Sequence, residues 1–266
     1  MRTPISTLAL LATLVTVVVA SLPSEAVAHN VAVPLALPQG ERPFEASQTS
    51  SQIEREVRDS LRGEGDLRQI EVSVQGNTVT LAGRVETFWA KDQAIKRTLR
   101  VEGVETVVSE LEIPVAEDDN DLAQDVARAI QRYPYYTIWD HIEGSINEGV
   151  VSLSGRVTPD RDKAGDIFER VAKVKGVQDL QSEIRTLSPS RGDRALRQAL
   201  WYRIFSSPHF QQFASMPNPP FHIIVDNSSV TLVGYVQSEI ELLLIRSIVA
   251  QTQGILRVED QLQTLR

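Results

Sequence analysis

The 266-residue chain contains no cysteine, which removes disulfides, thiolate zinc sites, iron–sulfur clusters, cysteine nucleophiles and a lipidated N-terminal cysteine together. Histidine is nearly as scarce: His29, His141, His209 and His222 are the only four, so imidazole chemistry has little material. Basic residues are outnumbered, 27 Lys and Arg against 35 Asp and Glu, and the net charge of −8 argues against broad electrostatic adhesion to nucleic acid. There is no G-x-S-x-G, H-E-x-x-H or Walker loop, and Gly63-Glu-Gly65 lacks the third glycine of a dinucleotide fingerprint. The acidic run Glu117, Asp118, Asp119, Asp121 lacks the loop glycine and closing glutamate of an EF-hand. It reads as a linker that supplies negative charge to a helix N-terminus. These absences predict no catalytic residues, no metal and no cofactor.

What is present starts with an address. Arg2 precedes an uncharged run from Ile5 to Ala20, and Ala26-Val27-Ala28 offers the small residues that a signal peptidase accepts. The run is shorter than the ~20 residues that span a bilayer. We therefore expect a signal peptide over 1–28 cut after Ala28, export to the periplasm, and a peripheral mature protein. Residues 29–48 hold Pro34, Pro38, Pro43 and Gly40 and read as a flexible, Pro-rich linker.

The mature chain repeats itself three times. The frame V-[ST]-L-x-G-x-V occurs at Val79–Val85, Val151–Val157 and Val230–Val236, with its glycine at Gly83, Gly155 and Gly234. A second glycine, Gly103, Gly176 or Gly254, follows 20 or 21 residues later. Val107, Leu180 and Val258 match four residues further on, and Leu111, Ile184 and Leu262 match at eight. Before each frame, period-two patterns align Ile70, Val72, Val74 with Ile142, Gly144, Ile146 and with Phe221, Ile223, Val225. Helical spacing precedes these at Ile53, Val57, Leu61, at Leu122, Val126, Ile130, and at Leu196, Leu200, Ile204. The turn pairs Gly76-Asn77, Glu148-Gly149 and Asn227-Ser228 make each strand pair a hairpin. The frame glycine suits a close helix approach or a strand bulge, and the second glycine suits a left-handed helix C-cap. The prediction is an α+β chain of three tandem αββαβ units at 49–115, 116–188 and 189–266.

On this frame, best seen in Glu148–Val157, and on the later Gly103-Val104 and Gly176-Val177, the sequence resembles the BON domain family over roughly residues 49 to 266. The resemblance implies small αββαβ modules, usually in tandem, from bacterial envelope proteins that include osmotically induced periplasmic ones. It associates them with phospholipid or envelope binding, and not with catalysis.

Binding would be decided where the repeats differ. From the last apolar position of the first helix to the first strand residue is nine positions in repeat one (Leu61 to Ile70), 12 in repeat two (Ile130 to Ile142) and 17 in repeat three (Ile204 to Phe221). The added residues are aromatic: Tyr133, Tyr135, Tyr136 and Trp139, then Phe205, Phe210 and Phe213. Such residues either seat at a lipid interface or enlarge a small core. In repeat one, Phe88 and Trp89 open the second helix ahead of Lys91, Lys96, Arg97 and Arg100, a basic face able to meet phosphate or simply to be solvated. In repeat three, Arg191, Arg194 and Arg197 stand three apart. Residues 51–115 carry 9 basic and 12 acidic groups, 116–188 carry 9 and 14, and 189–266 carry 7 and 6, so the third repeat is the least repelled by an anionic surface. Its second helix, Ile240 to Ala250, is apolar on most sides and is expected to dock on another repeat, a second copy or a partner, and the small size of each unit favours another repeat. The expected partner is an anionic phospholipid surface or an envelope protein, with a secretion or channel complex as the competing adaptor role.

Overall fold

The computed structural model describes residues 43–63, 65–115, 118–216 and 218–265. The expected signal peptide and residues 29–42 of the expected linker lie outside the described residues.

Each repeat has the predicted order. The first comprises α1 (Pro43–Leu61), β1 (Glu71–Gln75), β2 (Thr78–Arg84), α2 (Phe88–Thr98) and β3 (Thr106–Glu112). The second comprises α3 (Asp119–Gln131), β4 (His141–Asn147), β5 (Val150–Val157), α4 (Lys163–Ala172) and β6 (Asp179–Thr186). The third comprises α5 (Arg191–Phe205), β7 (Phe221–Asp226), β8 (Ser229–Val236), α6 (Glu239–Ala250) and β9 (Arg257–Thr264). Helix α1 opens at Pro43, where a missing N–H and a fixed φ suit the first turn. Residues 43–48, read from sequence as the end of a tether, are therefore helical.

Within each sheet the first two strands form an antiparallel hairpin, and the third returns through a helix to lie parallel to the second. Register is shared: Val72 pairs with Leu81, Gly144 with Leu153 and Ile223 with Leu232. The frame glycines pair with Leu111, Ile184 and Leu262, the positions matched at plus eight.

Both glycine classes need left-handed or mirror-image backbone, for reasons that differ from the sequence reading. At Gly155, φ is +140° and an added Cβ would lie 2.1 Å from the His141 carbonyl oxygen. At Gly234 it would lie 2.4 Å from the Pro220 oxygen. The close neighbour is thus the backbone entering the partner strand, not a helix. The second glycines stand beyond the helix ends: α2 is capped at Leu99, and Gly103 follows with φ +86° inside the turn closed by Val104 N–H to the Val101 carbonyl. There an added Cβ would press on Ile53 of α1, 3.1 Å away, so the glycine lets that turn pack under the first helix.

Each repeat fills its own core, centred on Val79 and Leu81, on Val151 and Leu153, and on Val230 and Leu232. Residues Arg42–Arg266 nevertheless form one compact unit, because the repeats share side chains at their junctions.

Candidate functional site

The first junction is built from α2 and α4. Thr87 caps α2 by accepting from the Ala90 N–H, which sets Phe88 and Trp89 at the helix start. Phe88 meets Phe168 edge to face at 6.3 Å between ring centroids and packs against the cores of both repeats. The Lys173 ammonium lies 5.3 Å from the Trp89 ring, Lys175 pairs with Glu86 at 3.3 Å, and Gln178 Nε2 donates to the Pro114 carbonyl at 3.0 Å. Phe88 and Trp89, expected as lipid or partner contacts, are half-buried at this repeat-to-repeat junction. The basic face is likewise divided: Lys96 pairs with Asp92 at 2.8 Å, Arg97 reaches the Ser60 carbonyl at 3.5 Å, and Arg100 is exposed.

The second junction uses the inserted segment of repeat two. Tyr133 and Tyr136 are buried: the Tyr133 hydroxyl donates to Asp166 at 2.5 Å, and the Tyr136 oxygen accepts the Ile142 N–H at 3.1 Å. Ile138 belongs to the third repeat's core, Trp139 packs against it, and the Ile138 carbonyl accepts the Ile223 N–H at 2.7 Å. Of these aromatics Tyr135 alone is exposed, with the Arg161 guanidinium stacked 3.6 Å over its ring.

Beneath this segment lies a buried ion pair that sequence reasoning missed. Lys163 Nζ donates to Asp140 Oδ2 at 2.8 Å and to Thr158 Oγ1 at 2.7 Å, with Lys163 and Asp140 1% and 0% exposed. Asp140 also accepts the N–H and hydroxyl of Thr137, both at 2.8 Å, and the N–H of Thr158 at 2.7 Å, while the Thr158 hydroxyl lies between Asp140 at 3.0 Å and Asp160 at 2.6 Å. This satisfies nearly all of the carboxylate's lone pairs, the condition under which a buried charge is tolerated.

In repeat three the insertion closes inward. Phe210 and Phe213 stack edge-on against Phe221 at 5.7 and 5.5 Å, all three buried. They are core residues and not contacts, because 17 positions between helix and strand need their own apolar filling. Arg197 is half-buried and donates to the Val225 carbonyl at 2.9 Å, and burial lowers its guanidinium below the ordinary value. Arg191 and Arg194 are exposed. Between them the buried Asp193 accepts the Asn227 and Ser228 N–H groups at 2.9 and 2.8 Å, holding a hairpin turn whose two central residues both have positive φ. Asp119 does the same for Glu148 and Gly149, and Asp118 caps α3, so two members of the acidic run are structural.

His209 is exposed, and His222 lies beside His141 and Tyr136 at ring-centroid distances of 5.7 and 5.5 Å. Among the described residues no group of three or more His, Asp or Glu is placed to hold a metal ion.

Helix α6 buries Leu242, Ile245 and Val249 in its own repeat, where it packs on β8, β9 and α5. Its other side leaves Ile240 65% and Leu243 64% exposed, and Leu256 in the following turn is 84% exposed. The helix does not dock on another repeat. No helix among the described residues is long and apolar enough to cross a membrane.

Comparison with known proteins matches the BON domain model to residues 49–114, 118–185 and 209–266. The third match starts after α5, where the long insertion separates that helix from the strands. The chain is similar to osmotically-inducible protein Y of Escherichia coli (strain K12), 29% identical over 146 residues that cover 51% of this chain and 72% of that protein. Solved structures matched include the C-terminal domain of CdsD, the structural protein of the Type III secretion system of Chlamydia trachomatis. It is 13% identical with a TM-score of 0.24, covering 80% of this chain and 96% of that one. The PrgH periplasmic domain matches at 14% identity and a TM-score of 0.19, covering 78% and 99%. Three copies of one αββαβ unit, each with its matched segment, establish that the chain belongs to the BON domain family.

Proposed function

We propose that the protein is a non-enzymatic component of the bacterial periplasm that meets a phospholipid surface peripherally through its third repeat and supports the envelope under osmotic stress. The observation that carries this reading is the outer side of α6: Ile240, Leu243 and Leu256 are largely exposed while the helix's core side is already filled. Moving such side chains out of water is worth about 1–2 kcal/mol each, which gives shallow, reversible attachment. The 7 basic and 6 acidic groups of residues 189–266 leave this repeat free of the net repulsion that repeats one and two would meet at an anionic leaflet. Exposed Arg191 and Arg194 would add about 1 kcal/mol each near anionic headgroups. The likeness to osmotically-inducible protein Y supports the stress role.

Flotation of the mature chain with phosphatidylglycerol-containing and with purely zwitterionic vesicles tests the reading. Binding is expected to be stronger on anionic vesicles, weaker at high salt, and lost in an Ile240→Asp/Leu243→Asp variant that keeps its thermal midpoint. Absence of vesicle binding at low salt refutes the lipid contact and transfers the α6 face to an envelope protein partner.

A further inference from the structure

Repeat two lacks a core side chain that its sisters have. The position held by Val72 in the first repeat and Ile223 in the third is Gly144, although all three pair with a leucine on the next strand. Val72 and Ile223 are 6% and 0% exposed; Gly144 lies open. In place of the missing side chain, α3 and β4 bound a groove of 360 Å³, within the range of small-molecule sites. Val126, Ile130, Ile142 and Ile146 supply apolar wall, and repeat three closes one side with Asn218 and His222.

Two properties define what fits. The lining contains no Asp, Glu, Lys or Arg, in a chain where those types make up 23% of residues. An ionised ligand would therefore lose its hydration without gaining a counter-charge. The second property is a pair of orphans: His222 Nδ1 and Asn218 Oδ1 are buried without a hydrogen-bond partner. Burial, and secondarily His141, holds the His222 imidazole down at about 4. The ring is consequently neutral at pH 7 and carries a single N–H, so Nδ1 is an acceptor in the tautomer that holds the proton on Nε2. In that tautomer both orphans are acceptors open to a donor.

We propose that this groove is a binding site for an uncharged single-chain amphiphile, an alkyl chain ending in a hydroxyl or amide donor that approaches His222 and Asn218. The site is separate from the α6 face and does not depend on vesicle binding.

The test titrates the mature chain with 1-decanol, decanoate and decane, read by amide NMR shifts. 1-Decanol should move the Ile142, Gly144 and Asn218 amides and bind at least about tenfold more tightly than decanoate. Gly144→Val should cut 1-decanol binding at least about tenfold while the thermal midpoint is kept or raised. Its new Cβ presses on the end of the Leu153 side chain, 3.2 Å away, and makes ordinary contact with the Ser152 carbonyl oxygen at 3.8 Å, at a backbone conformation open to any residue. Ala127→Phe, on the exposed side of α3, should block the groove independently. His222→Phe should reduce the preference for 1-decanol over decane, with Asn218 Oδ1 still able to accept. Equal binding of decanoate, wild-type affinity in Gly144→Val, or no binding of 1-decanol overturns the proposal.

Discussion

Replacing Lys163 by methionine tests what holds the second and third repeats together. The substitution keeps the alkyl stem and deletes the ammonium, leaving Asp140 fully buried with donors from Thr137 and Thr158 but no counter-charge. Breaking a buried pair on one side costs about 3–5 kcal/mol. Three neutral hydrogen bonds remain on the carboxylate, with the Thr158 hydroxyl shared with Asp160, so the lower end applies, about 3 kcal/mol. The loss should be local, because Asp140 anchors the segment that carries Ile138 and Trp139 into the third repeat. Native-state hydrogen exchange reads this directly: the Ile223 amide, bound to the Ile138 carbonyl, and the Thr158 amide, bound to Asp140, should exchange roughly 100-fold faster. Amides of β2 in the first repeat should change little. In a double-mutant cycle, Asp140→Asn with Lys163→Met should be less damaging than the summed singles by at least about 1 kcal/mol. Acceleration below about fivefold in Lys163→Met, or simple additivity, would mean that the threonine donors alone hold the segment and that the charge pair is dispensable.

His222, with its folded value at about 4 against an ordinary 6.5, favours the native state at pH values above 6.5, and that contribution is lost as pH falls from 6.5 toward 4. At 1.36 kcal/mol per pH unit the loss is about 3 kcal/mol, which urea unfolding at pH 7 and pH 4 should show in the wild type and not in His222→Phe. Gly155→Ala should cost about 3–5 kcal/mol, since the methyl falls on the His141 carbonyl, whereas Gly83→Ala should cost about 1–2 kcal/mol, its nearest neighbour being 3.4 Å away. Equal losses in thermal unfolding would contradict the steric account. Asp193→Ala frees the Asn227 and Ser228 amides and should cost about 2 kcal/mol by urea unfolding, with the Ser228 amide losing its exchange protection.

The fold was legible because its signals are local and thrice repeated. Helical spacing at Ile53, Val57 and Leu61, alternation at Val72 and Val74, and the frame around Gly83 each report one element, and agreement between copies places the element ends. The parallel return of the third strand follows from the helix between strands, since a hairpin turn cannot make that connection. The candidate contacts were less legible for a physical reason. Apolarity says that Phe88, Trp89 and Trp139 leave water, but not against what, and in a tandem array a junction looks like an outer surface when one repeat is read alone. Phe210 and Phe213 follow the same logic within a single repeat.

A sharper signal lay in the differences between registered positions. The residue fifteen places before the frame glycine is Arg68, Asp140 or Pro219, and the one eight places past it is Lys91, Lys163 or Leu242. Only the second repeat combines an acid with a base there, and among the described residues only that pair is buried on both sides. Gly144 against Val72 and Ile223 is the same kind of departure, with an open groove as its result. Positions common to all three copies satisfy constraints that every αββαβ unit faces, so they carry no information about neighbours or ligands. A residue that departs in one copy either destabilises that copy or answers something that copy alone meets. Asp140 and Lys163 satisfy each other in the second repeat, at the segment that crosses to the third, which is why the departures between copies, more than the aromatic insertions themselves, locate the surfaces where these repeats meet other groups.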